Sequence, residues 1–296
     1  MKLLKFTLAL ILALTFSTQT AFARSKKDKG QIAYEHGDYA GALKIWSKEI
    51  AKYEKRDKAS KCPYYNKAGE AALKLGKNSL AQKYFESARF TASENATTYN
   101  ELAHIYHKIN NLSKEMDALA AYVKKYPDGK DIVANRNRLF MDNIEATNWQ
   151  NALNLWPKLP AAEQQNIDYR TGLLQVYVGL NDTNVADTLA ESLLKVQPKN
   201  LPALEWLAQK YFWLAENSYR TENKAYADNQ TNQQYAHLLQ AYKVITRNYE
   251  HALGYFKTLF PMERTAKNAV FLGDIYGRLS NNKKAAYYQN LAKTLK

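Results

Sequence analysis

Beyond residue 23, apolar side chains recur every three or four positions, and short polar breaks interrupt them. Tyr99, Leu102, Ala103 and Tyr106 make one apolar stripe, and Asn110-Asn111 break it. Leu112, Leu119 and Val123 make the next stripe, which Pro127 ends. A spacing of this kind is that of amphipathic helices, and the short break predicts that neighbouring helices run antiparallel. The same order returns at Leu173, Leu174 and Tyr177, turns at Asn181, and continues through Ala186 and Leu193 to Pro198. It opens again at Leu204, Leu207, Ala208 and Tyr211. With only 11 Gly and 7 Pro as punctuation, long helices are favoured over many short strands.

A small residue holds one slot of the first stripe. That slot falls at Gly30, Gly69, Ala103, Phe140, Leu174, Ala208 and Gly273, at intervals of 39, 34, 37, 34, 34 and 65 residues. Three intervals equal 34, the period of the tetratricopeptide repeat. Further markers stand in register: Gly37, Tyr39, Ala42 and Trp46 in the first unit; Tyr65, Gly76, Ala81, Phe85 and Ala88 in the second; Trp149, Ala152 and Trp156 in the fourth. Near the end come Tyr249, Ala252 and Phe256, then Leu272, Tyr276 and Ala285. The chain therefore resembles the tetratricopeptide-repeat family, in the form of an exported bacterial member. The resemblance implies an all-α fold, a solenoid of about seven antiparallel helix pairs. The expected repeats are approximately 24–58, 62–95, 96–130, 133–166, 167–200, 201–262 and 266–296. Phe140 and Leu174 depart from the family's small residue, so packing there must differ. The 65-residue interval predicts one overlong hairpin turning at Asp228–Asn232. Either its tip projects as an arm that contacts a partner, or it is a longer pair packed on the last unit.

Residues 1–23 read as a cleavable secretory signal. Lys2 and Lys5 precede the apolar run Leu8–Phe16, and Ala21-Phe22-Ala23 supplies a small–x–small cleavage pattern before Arg24. A periplasmic or secreted destination follows, with cleavage after Ala23. Cys62 is the single cysteine, so the fold must stand without an intrachain disulfide. The net charge of +14 is uneven. Residues 24–90 hold 16 basic and 8 acidic side chains, residues 91–200 hold 11 and 13, and residues 201–296 hold 13 and 7. Basic ends, including the arm Arg24, Lys26, Lys27 and Lys29, either serve solubility or attract an anionic envelope polymer or membrane surface. Export argues against nucleic acid.

In the family, the first helix of each pair lines a groove that holds a peptide or a partner helix. The register places Asn66, Glu70, Asn100, His104, His107, Asn137, Met141, Gln175, Gln209 and Trp213 on that lining. Asn66, Asn100 and Asn137 share one slot, and an amide offers a donor and an acceptor to an extended main chain. They make either a ladder of this kind or an ordinary wet polar face. Glu101, His104 and His107 share a helix face, which is weak ground for a metal, and no metal or cofactor is expected. Asn66 and Lys67 lack the matching neighbours that recognition of a C-terminal carboxylate would need. No nucleophile elbow, zinc helix, P-loop or dinucleotide fingerprint occurs, so the chain is read as no enzyme. The expectation is an exported scaffold that binds another protein. The alternatives are a binder of anionic polymer or membrane, and a subunit of an outer-membrane or secretion assembly.

Overall fold

The computed structural model describes residues 28–295; residues 1–23, expected to be a signal, and Arg24, Lys26 and Lys27 lie outside them. The chain divides into two compact units, one ending at Ile105 and the other beginning at Tyr106. The first holds α1 (Lys29–Glu35), α2 (Tyr39–Lys55), α3 (Tyr65–Lys74) and α4 (Asn78–Ala88), and the division falls within α5 (Ala96–Lys108). The second holds α6 (Leu112–Lys125), α7 (Ile132–Glu145), α8 (Trp149–Leu155), α9 (Ala161–Gln165), α10 (Ile167–Gly179) and α11 (Thr183–Val196). It continues through α12 (Leu201–Asp228), α13 (Asn232–Leu259), α14 (Ala266–Arg278) and α15 (Asn282–Thr294). Every regular element among the described residues is helical. The helices follow one another as antiparallel pairs, the architecture that the resemblance implied. The short α9 and two 3-10 turns, Ala59–Lys61 and Trp156–Lys158, were not legible in the periodicity. Pro157 and Pro160 stand where helix α8 would otherwise continue, and neither can donate the backbone hydrogen bond it needs.

One turn is used repeatedly. Gly37, Gly76, Asn110, Thr147, Asn181 and Ser280 all adopt left-handed backbone, with φ between 52° and 80°. Each is followed at once by the N-cap position of the next helix, and after Gly37, Asn110, Asn181 and Ser280 the side chain there caps it. Asp38 accepts from the Gly41 amide at 2.8 Å, and Asn111 accepts from Lys114 at 3.1 Å. Asn281 does the same for Lys284 at 3.2 Å. The left-handed residue reverses the chain and the cap satisfies a free amide of the new helix. Gly37 and Gly76 take this conformation without a side-chain clash. Thr147, at φ 56°, is β-branched and strained there. Thr147→Gly should stabilise the protein by about 1 kcal/mol, less than the strain because glycine also loosens the unfolded chain. Urea midpoints would check this, and a lowered midpoint would refute it.

Close approach and large rings fill the core together. A Cβ on Gly69 would stand 2.8 Å from the Phe85 ring, and one on Gly30 would collide with Trp46. At Phe140 a large ring takes the small residue's slot. Phe140 is fully buried, stacks on Tyr169 at 6.0 Å and meets Trp156 at 5.6 Å. Gly172 on α10 serves a different contact, since its Cβ would meet Ile144 at 2.7 Å. The aromatic cluster of Phe212, Tyr249, Phe256 and Phe271 joins α12, α13 and α14.

Helices α12 and α13 have 28 residues each and form the overlong hairpin. Beyond Glu216 its two arms are held mostly by polar and ring contacts. Tyr219 stacks on Tyr242 at 6.0 Å, the Tyr242 hydroxyl donates to Asn223 at 2.6 Å, and His237 lies 3.0 Å from Glu222. Cys62 is completely buried, and burial pushes its thiol up from the ordinary range, which fits a structural rather than a reactive cysteine.

Candidate functional site

The expected groove residues divide between the two units. In the first, Asn66 is buried, and the expectation that it faces an open groove is corrected. Its amide donates to Glu70 at 2.8 Å and accepts from the Thr98 hydroxyl at 2.8 Å, so it fastens α3 to α5. Glu70 is half-buried; burial and the neighbouring Glu101 carboxylate push its pKa up. Asn100 is half-buried and His104 exposed, with Nδ1 3.8 Å from Glu101. Lys29 is exposed at the start of α1.

In the second unit, His107 turns to Glu115, 3.3 Å away, and to Arg138. Among the described residues, no group of three or more His, Cys, Asp or Glu is placed to hold a metal ion. Asn137, like Asn66, is buried, and its amide donates to Glu163 at 3.1 Å. Neither Asn66 nor Asn137 therefore stands open in a groove. A neighbouring helix covers them, which the register of one helix does not reveal.

The remaining expected residues line three clefts between successive first helices. Met141 and Asn137 line one of about 410 Å3 between α7 and α10. Gln175 and Gln209 line one of about 490 Å3 between α10 and α12, with Trp206 and Lys267. Trp213 lines a third, of about 570 Å3, between α12 and α14, with Val270, Arg220 and Arg278. Trp213 is 45% exposed although it is a tryptophan, and Val270 beside it is 46% exposed. A larger cleft of about 850 Å3 separates α6 from α8, which stops short, and none of the expected residues lines it.

Two charged networks support these clefts, and neither was foreseen. Arg138 bridges the buried Glu115, at 3.0 Å, and the buried Asp142, at 3.0 Å. Burial, aided by Glu115 and opposed by Arg138, pushes Asp142 up to about 6. At the third cleft, buried Glu216 accepts from the Tyr249 hydroxyl at 2.6 Å, from Arg220 at 2.9 Å, and from both ends of Arg278 at 2.8 and 3.1 Å. Desolvation opposes ionisation, but Arg278, Tyr249 and Arg220 together hold its carboxyl down at about 2. Arg278 also lies 3.9 Å over the Tyr219 ring. The sequence signal for such sites is a carboxylate inside an apolar stripe with an arginine four residues away, as in Glu216–Arg220 and Arg138–Asp142. No comparable signal points to Arg278, which is remote in sequence.

Residues 66–130 match the family model described as tetratricopeptide repeat. No match is found among curated proteins. Among solved structures, a tetratricopeptide repeat protein from Parabacteroides merdae is 15% identical, with 90% of this chain and 91% of that one covered at a TM-score of 0.39. The C-terminal part of a TPR repeat-containing protein from Cytophaga hutchinsonii is 17% identical, with 90% and 93% covered at 0.42. PilW, a widely conserved type IV pilus biogenesis factor, is 14% identical, with 78% and 91% covered at 0.42. Scores this low transfer no activity to this chain.

Proposed function

We propose that this chain, a tetratricopeptide-repeat protein, is an exported scaffold whose first-helix clefts in the second unit receive a segment of a partner protein in the bacterial cell envelope. The observation that carries the reading is the exposed Trp213 beside Val270, with Arg220 and Arg278 at the cleft edge. Tryptophan and arginine dominate the energetics of protein interfaces, and a half-exposed tryptophan against an apolar neighbour is a ready anchor. Export rests on the signal-like residues 1–23. No described helix is long and apolar enough to cross a membrane. Trp213→Ala should weaken partner capture by on the order of 30-fold, equivalent to about 2 kcal/mol, while leaving helicity and melting unchanged. A photo-crosslinking residue at position 213, read by mass spectrometry from cells, checks this. Adducts formed from Asn229 but not from position 213 would move the contact to the hairpin tip.

The net charge of +14 favours a second reading, an anionic envelope polymer or membrane surface held by the basic ends. Salt separates the two. Polymer binding should fall steeply between low and high salt, and a contact anchored on Trp213 should not.

A further inference from the structure

The buried side-chain polar atoms left without a partner among the described residues all belong to one helix, α7: Asn135 Nδ2, Arg136 Nε, Asn137 Oδ1 and Asp142 Oδ2. An orphaned buried polar atom is unfavourable, and each one calls for an explanation. Two of the four belong to residues that line the same 410 Å3 cleft, Asn137 and Asp142, which are 8% and 2% exposed. Both orphans there are oxygens, so both call for a hydrogen-bond donor.

The charge around them specifies the donor further. Asp142 and Glu145 line the cleft, and Glu163 reaches Asn137 from α9. Arg138 lines it too, but its guanidinium is engaged by Glu115 and by Asp142 Oδ1. The cleft is thus a carboxylate-rich spot on a chain whose net charge is +14. Its remaining walls are Ala134, the Met141 side chain and the Tyr169 ring, apolar surfaces suited to a hydrocarbon stem, while the Tyr169 hydroxyl is hydrogen-bonded to the Asn137 side chain. Met141 is 37% exposed and rotates about soft torsions, so it can yield to an entering group.

We infer that this cleft takes a lysine side chain of the partner, with the ammonium held by Asn137 Oδ1, Asp142 Oδ2 and Glu145 and the stem laid between Met141 and Tyr169. The inference rests on the reading of the first-helix face as the partner-binding face, and names the chemistry that one of its clefts selects. An ammonium brings three donors and no acceptor, which matches a site of unpaired acceptors. A neutral side chain of equal length would leave both oxygens unpaired.

The test uses the full chain with 13C-labelled methionine methyl groups and 15N-labelled asparagine side chains, read by NMR. Met116 and Met262 lie outside this cleft and serve as internal references. The probe is Nα-acetyl-lysine N-methylamide, set against its norleucine counterpart and against spermidine. The expected result is a saturable shift of the Met141 methyl and of the Asn137 side-chain amide with the lysine probe, and none with norleucine. Asp142→Asn should weaken the lysine probe about 10-fold or more, and Glu145→Gln, at an exposed position that folding does not need, about 3-fold. Equal shifts with norleucine, or no shift with lysine, would overturn the inference. Spermidine binding far more tightly than lysine would assign the cleft to a free polyamine and overturn the partner lysine. Partner adducts at position 213 without lysine-dependent shifts would remove this site alone. Lysine-dependent shifts with no protein adduct would instead remove the scaffold reading.

Discussion

Glu216→Ala is expected to destabilise the protein by about 3–5 kcal/mol, the cost typical of breaking one partner out of a buried ion pair. The carboxylate is 4% exposed and accepts four hydrogen bonds, from Tyr249, Arg220 and both ends of Arg278. Alanine would leave the Tyr249 hydroxyl buried without an acceptor and Arg278 without its counter-charge. The pH dependence gives a second estimate. With the folded-state pKa held at about 2, against an ordinary value of 4.5, the ionised form is favoured by about 3 kcal/mol. A depressed carboxyl pKa contributes stability that is complete above the unfolded value and is lost as pH falls towards the folded one. The gap between wild type and Glu216→Ala should therefore be full above pH 5 and close between about pH 4.5 and pH 2. Denaturant melts at pH 7 and pH 3 would show it. A gap of the same size at both would mean that packing, rather than charge, holds the site.

The parts of this protein that local physics determines were legible in the sequence, and the parts that depend on distant neighbours were not. The Asn110-Asn111 pair announces a left-handed turn followed by a cap because both roles need only adjacent backbone. The overlong hairpin showed in spacing alone. Met141, Gln175, Gln209 and Trp213 fall on clefts because helical period fixes which side of a helix they occupy. The period cannot say what covers that side. Asn66 lies under Thr98, and Asn137 is engaged by Glu163, across gaps that no repeat register encodes. Phe140 likewise departs from the small-residue rule and packs on Trp156 and Tyr169, neighbours that its own register does not name. Charged networks were the hardest to foresee. Glu216 and Arg278 belong to different helices, and Arg278 alone reads as an ordinary surface residue.

Asp142→Asn should have the opposite effect and stabilise the protein at neutral pH by about 1–3 kcal/mol. Burial and the nearby Glu115 carboxylate push Asp142 up to about 6 from an ordinary 3.8, and the Arg138 contacts do not offset them. The folded state thus holds this proton over a range where the unfolded chain has released it. Stability must fall as pH rises from about 4 to about 6, and the loss persists above that. Asparagine keeps an oxygen that can accept from Arg138 Nε and carries no charge to desolvate. Its advantage should be full above pH 6.5 and vanish near pH 4, the reverse of the Glu216 profile, and thermal melts at both pH values would measure it. A variant less stable than wild type at every pH would mean that the Arg138 pairing outweighs burial. A carboxylate retained at a net cost in the folded state, beside an unpaired amide oxygen, is what a binding site requires and a purely structural position does not. If Asp142→Asn is both more stable and weaker for the lysine probe, the same charge accounts for both results.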